Sequence, residues 1–180
     1  PNGDWKYPPL NFDDFMSVVK DAGAEANIVI NYNNLRVPAL NGGSAISFDE
    51  GLTMAVSWVR YANITKKYNV KYWTIGNETY NALADGSYLT AEQYGKDVST
   101  FSKAMKAVDP TIEIGLCVKD VAWMNTALKY CINDIDFIDY HNYPIYRNYE
   151  AFHNWDANWL HPELEDAISS LPEPQKSKLY

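Results

Sequence analysis

Apolar positions along this chain alternate between stripes spaced three and four residues apart and short continuous runs. The first pattern marks amphipathic helices and the second marks strands buried on both faces. Asn11 stands where it can cap a helix with Phe12, Phe15, Met16 and Val19 on one face, and Gly23 suits its stop. Residues 26–32 follow as an apolar, β-branched strand. Ser47-Phe48-Asp49-Glu50 reads as a capping box, opening a helix striped by Phe48, Leu52, Ala55, Val56, Val59 and Ala62. Residues 70–76 form a second strand. Thr90-Ala91-Glu92-Gln93 reads as another capping box, for a helix carrying Tyr94, Val98, Phe101, Met105 and Val108 and ended by Asp109-Pro110. Residues 112–118 read as a third strand. Val121, Met124, Leu128 and Cys131 share a helix face, and residues 135–141 make a fourth strand. The pattern then weakens until a helix over 162–171, stopped by Pro172.

Strands joined by single helices imply parallel pairing with right-handed crossovers. Two architectures fit: an open doubly wound sheet, or part of a closed α/β barrel. Periodicity does not choose between them. In both, ligands gather at the C-terminal ends of the strands. Those ends carry Asn31-Tyr32-Asn33-Asn34, Gly76-Asn77-Glu78, Lys119-Asp120 and His141-Asn142-Tyr143-Pro144. Amides, a carboxylate, an imidazole and phenols on one rim suit a sugar site.

Composition narrows the partners. A formal charge of −8 with scattered Lys and Arg argues against nucleic acid, which needs clustered cations. No apolar run is long enough to span a bilayer, so no membrane partner is expected. Asn41-Gly42-Gly43-Ser44 lacks the Lys of a phosphate loop, which speaks against a nucleotide. The aromatic content of 14% fits sugar stacking, and it fits ordinary core packing equally well. Cys117 and Cys131 match neither a zinc nor a redox pattern; a disulfide and two buried thiols both stay open. His153 and His161 show no metal spacing, and no metal or organic cofactor is expected.

The string Lys71-Tyr72-Trp73-Thr74-Ile75-Gly76-Asn77-Glu78 resembles the fourth-strand motif of clan A retaining glycoside hydrolases. The surrounding sequence is most similar to the α-L-arabinofuranosidase family, with β-xylosidases and agarases as more distant resemblances. His141-Asn142-Tyr143 resembles the His-x-Tyr that ends the sixth strand of that family, and residues 104–110 fit the helix after its acid/base strand. The similarity covers most of residues 11–143. It implies that residues 1–180 are part of a (β/α)8 TIM-barrel catalytic domain, strands three to six, acting on plant or algal polysaccharide or oligosaccharide.

The resemblance further implies that Glu78 is the general acid/base, that Asn77 binds the sugar 2-hydroxyl, and that His141 and Tyr143 orient a nucleophile. Asn33 and Trp5 are weaker candidates for substrate contact. Each has a plainer competitor. Glu78 could cap a loop, His141 and Tyr143 could be a packing pair, and Trp5 could be core. Asn77 also begins an Asn-x-Thr sequon, although Asn63-Ile64-Thr65 reads as the better one for a chain that enters a secretory route, which is the expected location.

Retaining hydrolysis needs a second carboxylate about 5 Å from the first. The family's nucleophile ends the seventh strand, and Glu150, Glu163, Glu165 and Glu173 end no predicted strand here. A barrel of this type takes about 250 residues. The 180-residue chain, opening on Pro1, is therefore expected to need the rest of the barrel, or another chain, to complete the fold. Two other readings stay open: a non-catalytic carbohydrate-binding or structural protein derived from a hydrolase barrel, and a doubly wound ligand-binding domain. The barrel reading expects four parallel strands in chain order, apolar on both faces, with Asn33, Glu78 and His141 at one edge.

Overall fold

The structure, a computed structural model, describes residues 10–33, 35, 46–81, 87–141, 161–171, 173 and 175–179. Helix α1 (Phe12–Asp21) starts at Asn11, whose side chain accepts from the Asp14 N–H, and it gives way to Gly23 at φ +63°. It leads to strand β1 (Asn27–Ile30). Helix α2 (Phe48–Val59) has the full capping box, with Ser47 and Glu50 each bonding the other's backbone N–H. It runs on into a π-helical turn, Arg60–Thr65, before strand β2 (Tyr72–Ile75). Helix α3 (Ala91–Lys106), strand β3 (Glu113–Val118), helix α4 (Val121–Cys131), strand β4 (Phe137–Tyr140) and helix α5 (His161–Ser169) complete the expected order. A short helix α6 (Gln175–Lys178), with no apolar stripe to announce it, follows.

All four strands are parallel and lie in the order β1-β2-β3-β4. A sheet that adds strands in chain order without reversing has no topological switch point, which rules out the doubly wound alternative. β1 and β4 are its two edges, where a closed barrel pairs further strands.

Residues paired in register share a face of the sheet. One face carries Ile28, Ile30, Trp73, Ile75, Ile114, Leu116, Val118, Ile138 and Tyr140, all apolar or aromatic. Trp73, Ile75, Ile114, Leu116 and Val118 are fully buried there, in one core with Val59, Val98, Phe101 and Met124 from the helices. The opposite face carries Asn27, Val29, Tyr72, Thr74, Glu113, Gly115, Cys117, Phe137 and Asp139. This corrects the expectation of two apolar faces: the inner face is mixed. Polar groups on it find close partners. The Asn27 amide donates to Thr74 Oγ1 at 3.0 Å, and Lys71 Nζ pairs with Glu113 at 3.0 Å. At Gly115 a Cβ would sit 2.4 Å from the Phe137 ring, so glycine leaves that ring its place on this face. Val29, on the edge strand, stays 48% exposed for want of a neighbour.

Two sequence expectations change in the helix layer. Thr90 caps α3 by accepting from the Gln93 N–H, but Gln93 reaches forward to Asp97 at 2.9 Å instead of back to close a capping box. Asn63 is no glycosylation acceptor. It is buried, its amide donates to Val70 O and Asp109 Oδ2, and its Oδ1 accepts from the Val70 N–H at 2.7 Å. These bonds tie the π-helical turn to the start of β2. Asn63→Ala leaves the buried Val70 N–H unpaired and the Val70 C=O with the Trp73 indole as its remaining donor, and is expected to lower stability by about 2 kcal/mol. The check is a lower urea midpoint with an unchanged slope.

Candidate active site

β2 ends at Ile75, and the chain then makes a turn that few residues tolerate. Gly76 takes φ +75° and Glu78 takes φ +49°, so both lie in the left-handed region. Gly76 meets the first demand at little cost. Glu78 does not, and a β-carbon held there is a local strain that surrounding contacts must sustain. Those contacts come from the ends of the two flanking strands. The Gly76 N–H donates to Ile30 O of β1 at 2.9 Å. Asn33, just after β1, donates from Nδ2 to Asn77 O at 2.9 Å, and its Oδ1 lies 3.5 Å from the Asn77 N–H. The Glu78 N–H donates to Cys117 Sγ of β3 at 3.3 Å.

Beneath this turn a buried tyrosine spreads the sheet. The β2–β3 ladder stops at the Thr74–Gly115 pair. Beyond it, the Tyr94 hydroxyl of α3 donates to Ile75 O at 2.6 Å and accepts from the Cys117 N–H at 3.1 Å. The two strand ends are thus bridged by a side chain where they no longer bond each other. Burial, first of all, raises the Tyr94 hydroxyl well above the usual phenol range, so it stays protonated and able to donate.

The Glu78 carboxylate has partners on both oxygens. Oε2 accepts from Asn81 Nδ2 at 3.0 Å, and Oε1 lies 3.1 Å from His141 Nδ1. His141 extends β4 by one residue, its N–H donating to Val118 O at 3.0 Å. Its Nε2 stands 3.6 Å from Asp139 Oδ1. The side chains of Glu78, His141 and Asp139 are 22%, 20% and 25% exposed, open enough for a substrate to reach yet shielded enough for charge to matter. Cys117 sits below them. Burial, helped by the Asp139 and Glu78 carboxylates, pushes its thiol up to about 11, so it acts as a neutral sulfur acceptor. Cys131 is likewise a buried free thiol, and the disulfide reading falls.

The structure therefore brings together Asn33, Asn77, Glu78 and His141 at the C-terminal edge of the sheet. Trp5 and Tyr143 lie outside the described residues. Asn33 braces the loop through the Asn77 backbone, and Asn77 itself is exposed beside Glu78. Sequence reasoning missed Asp139, Cys117, Asn81 and Tyr94. Asp139 was legible in one respect: two residues before His141 on a strand, it shares the face of that imidazole.

Among the described residues, no group of three or more His, Cys, Asp or Glu is placed to hold a metal ion, and no helix is long and apolar enough to cross a membrane. A cavity of about 730 Å³ opens at the other end of β1 and β2, lined by residues including Lys20, Glu25, Lys67 and Lys71. It lies at the N-terminal strand ends, away from where this fold places chemistry.

Four adjacent parallel strands in chain order, a helix layer on the outer face and a carboxylate in the turn after the second strand are the arrangement of part of a (β/α)8 TIM barrel, with its candidate chemistry at the C-terminal edge. The model of the Alpha-L-arabinofuranosidase 1 domain matches residues 3–159, and the chain belongs to that family. Among curated relatives, "Probable alpha-L-arabinofuranosidase C" of Aspergillus clavatus is 30% identical over 128 residues, covering 56% of this chain and 25% of the relative. The "Intracellular exo-alpha-(1->5)-L-arabinofuranosidase" of Acetivibrio thermocellus is 32% identical over 117 residues, covering 60% and 22%. The crystal structure of the Thermotoga maritima alpha-L-arabinofuranosidase in complex with arabinose superposes with a TM-score of 0.64 at 25% identity, over 88% of this chain and 33% of that one. The chain thus spans about a quarter of the length of these curated relatives and a third of that structure.

Proposed function

We propose that the full-length protein hydrolyses α-L-arabinofuranosyl linkages in plant or algal polysaccharide or oligosaccharide, with retention of configuration. The observation that carries this reading is the Glu78 carboxyl, set in a strained turn at the C-terminal barrel edge with His141 and Asn81 on its two oxygens. An acid/base must be held in place, reachable and close to a proton partner, and Glu78 meets all three conditions.

In the first step a second carboxylate attacks the anomeric carbon while Glu78 passes its proton to the leaving oxygen. In the second step Glu78 takes a proton from water, and that water releases the sugar. Asn77 holds the sugar ring beside it, and His141 lies at the same rim; the role proposed for Tyr143, which lies outside the described residues, is to orient the nucleophile. Asp139 is not positioned as the nucleophile, because the His141 imidazole stands between it and Glu78. That group belongs to the strand expected to follow the sixth.

Activity on 4-nitrophenyl α-L-arabinofuranoside, followed by proton NMR of the first sugar released, tests the proposal. The α-anomer is expected to appear first. First release of the β-anomer removes the retaining mechanism, and a protein active only on other glycosides removes the substrate.

A further inference from the structure

We propose that Asp139 is a positioning residue for the acid form of Glu78, acting through the imidazole of His141. The inference rests on the reading of Glu78 as acid/base and adds a residue to it.

A neutral imidazole carries one N–H and one lone pair, and its surroundings decide which nitrogen has which. Asp139 Oδ1 lies 3.6 Å from Nε2. That is too long for a good hydrogen bond, but close enough for a negative charge to favour the proton on Nε2. Nδ1 then presents its lone pair to Glu78 Oε1 at 3.1 Å. Two oxygen and nitrogen lone pairs facing each other at that distance repel, whereas an O–H on Glu78 pointing at Nδ1 makes a bond. The pair is therefore complementary to protonated Glu78, which is the form that must meet the substrate.

The Asp139 charge acts in the same direction by itself, since a nearby carboxylate disfavours ionisation of another. The opposite tautomer, with the proton on Nδ1, would stabilise Glu78 as a carboxylate and empty the acid form early.

Contacts among the described residues place His141 and Asp139 from β4 and Cys117 from β3 on this side of Glu78. The Cys117 thiol titrates at about 11 and stays neutral through any working range. Asn33 and Asn81, from the β1 side and the β2 loop, carry no charge. The strand geometry explains the pairing: Asp139 and the extension at His141 are two residues apart and share the inner face.

The test uses the full-length protein and the pH profile of kcat/KM on an aryl arabinofuranoside with a poor leaving group. The alkaline limb of that profile reports loss of the acid proton. Asp139→Asn is expected to move this limb to lower pH by about one unit, with the acid-side plateau kept within about threefold. In a His141→Asn background the same change is expected to move it by much less, the remainder being the direct effect of the charge. A uniform loss at every pH with the limb in place would make Asp139 merely structural and overturn the proposal. An equal shift without His141 would overturn the route through the ring.

Nitrogen NMR of labelled histidine in the unmutated protein gives a reading that needs no stable variant, with the His141 signals identified by their absence from His141→Asn. Protonation at Nε2 alone supports the proposal, and protonation at Nδ1 or at both nitrogens overturns it. Glu78→Gln is the control for the underlying assignment. It should remove the alkaline limb; an unmoved limb would instead discard Glu78 as the acid and the Asp139 role with it.

Discussion

Glu78→Gln in the full-length protein lowers kcat/KM on a substrate with a poor leaving group by about 100-fold or more, because nothing else protonates the departing oxygen. The size of the loss depends on the aglycone. A leaving group such as dinitrophenolate departs without help, so the first step is nearly spared and only release of the sugar slows. The expected kinetic picture is a burst of aryl alcohol followed by slow turnover on activated substrates, with almost none on natural ones. The geometry makes Gln a clean replacement. It keeps the contacts to Asn81 and His141 in shape, and its N–H still reaches Cys117, so the turn stays intact while the proton is lost. A rate on natural substrate within a few-fold of the unmutated protein would remove Glu78 from the chemistry.

Gly95→Val lowers stability by about 4 kcal/mol, through a contact that has no soft partner. A Cβ at Gly95 would stand 2.4 Å from the Ala127 carbonyl oxygen and 3.0 Å from the Ala127 Cα and carbonyl carbon. All three are backbone atoms, so α3 and α4 must separate rather than one side chain move. The damage travels to the site by a short route. Tyr94 is the next residue, and its hydroxyl holds the parted ends of β2 and β3. Displacing it loosens both the turn that carries Glu78 and the Cys117 backbone beneath it. Activity should therefore fall at temperatures where the variant is still folded. A melting temperature equal to that of the unmutated protein would mean that the two helices do not approach this closely.

The order of elements was readable from the sequence because each helix has a stripe and a start signal and each strand is a short apolar run. The resolution of that reading was set by what side chains do locally. Residues 26–32 and 135–141 looked like longer strands than β1 and β4, since apolar character continues past the point where pairing on an edge strand stops. Thr90 and Gln93 have the sequence of a capping box, yet the buried Asp97 carboxylate competes for Gln93 and wins. Asn63 has the sequence of a sequon, and only the fold shows its amide occupied by Val70 and Asp109.

At the site, a motif announced Glu78 and Asn77, and strand ends pointed to Asn33 and His141. Asp139 and Cys117 carried no such signal. Both sit inside runs that read as strand, and their value comes from register, which places them on one face as a β3–β4 pair. Tyr94 read as a core position on a helix stripe, which it is; its hydroxyl became visible only once two strands were seen to part around it.

The role of Glu78 is decided most directly by the azide product of Glu78→Ala in the full-length protein acting on 2,4-dinitrophenyl α-L-arabinofuranoside. An acid/base variant still forms the glycosyl-enzyme intermediate, and azide, needing no base, takes the place of water on the same face of the sugar. The account predicts that azide restores turnover and that the arabinofuranosyl azide isolated has the α configuration of the substrate. The β configuration would mean that azide had displaced the leaving group directly. Glu78 would then be the nucleophile, and the acid/base assignment would be wrong.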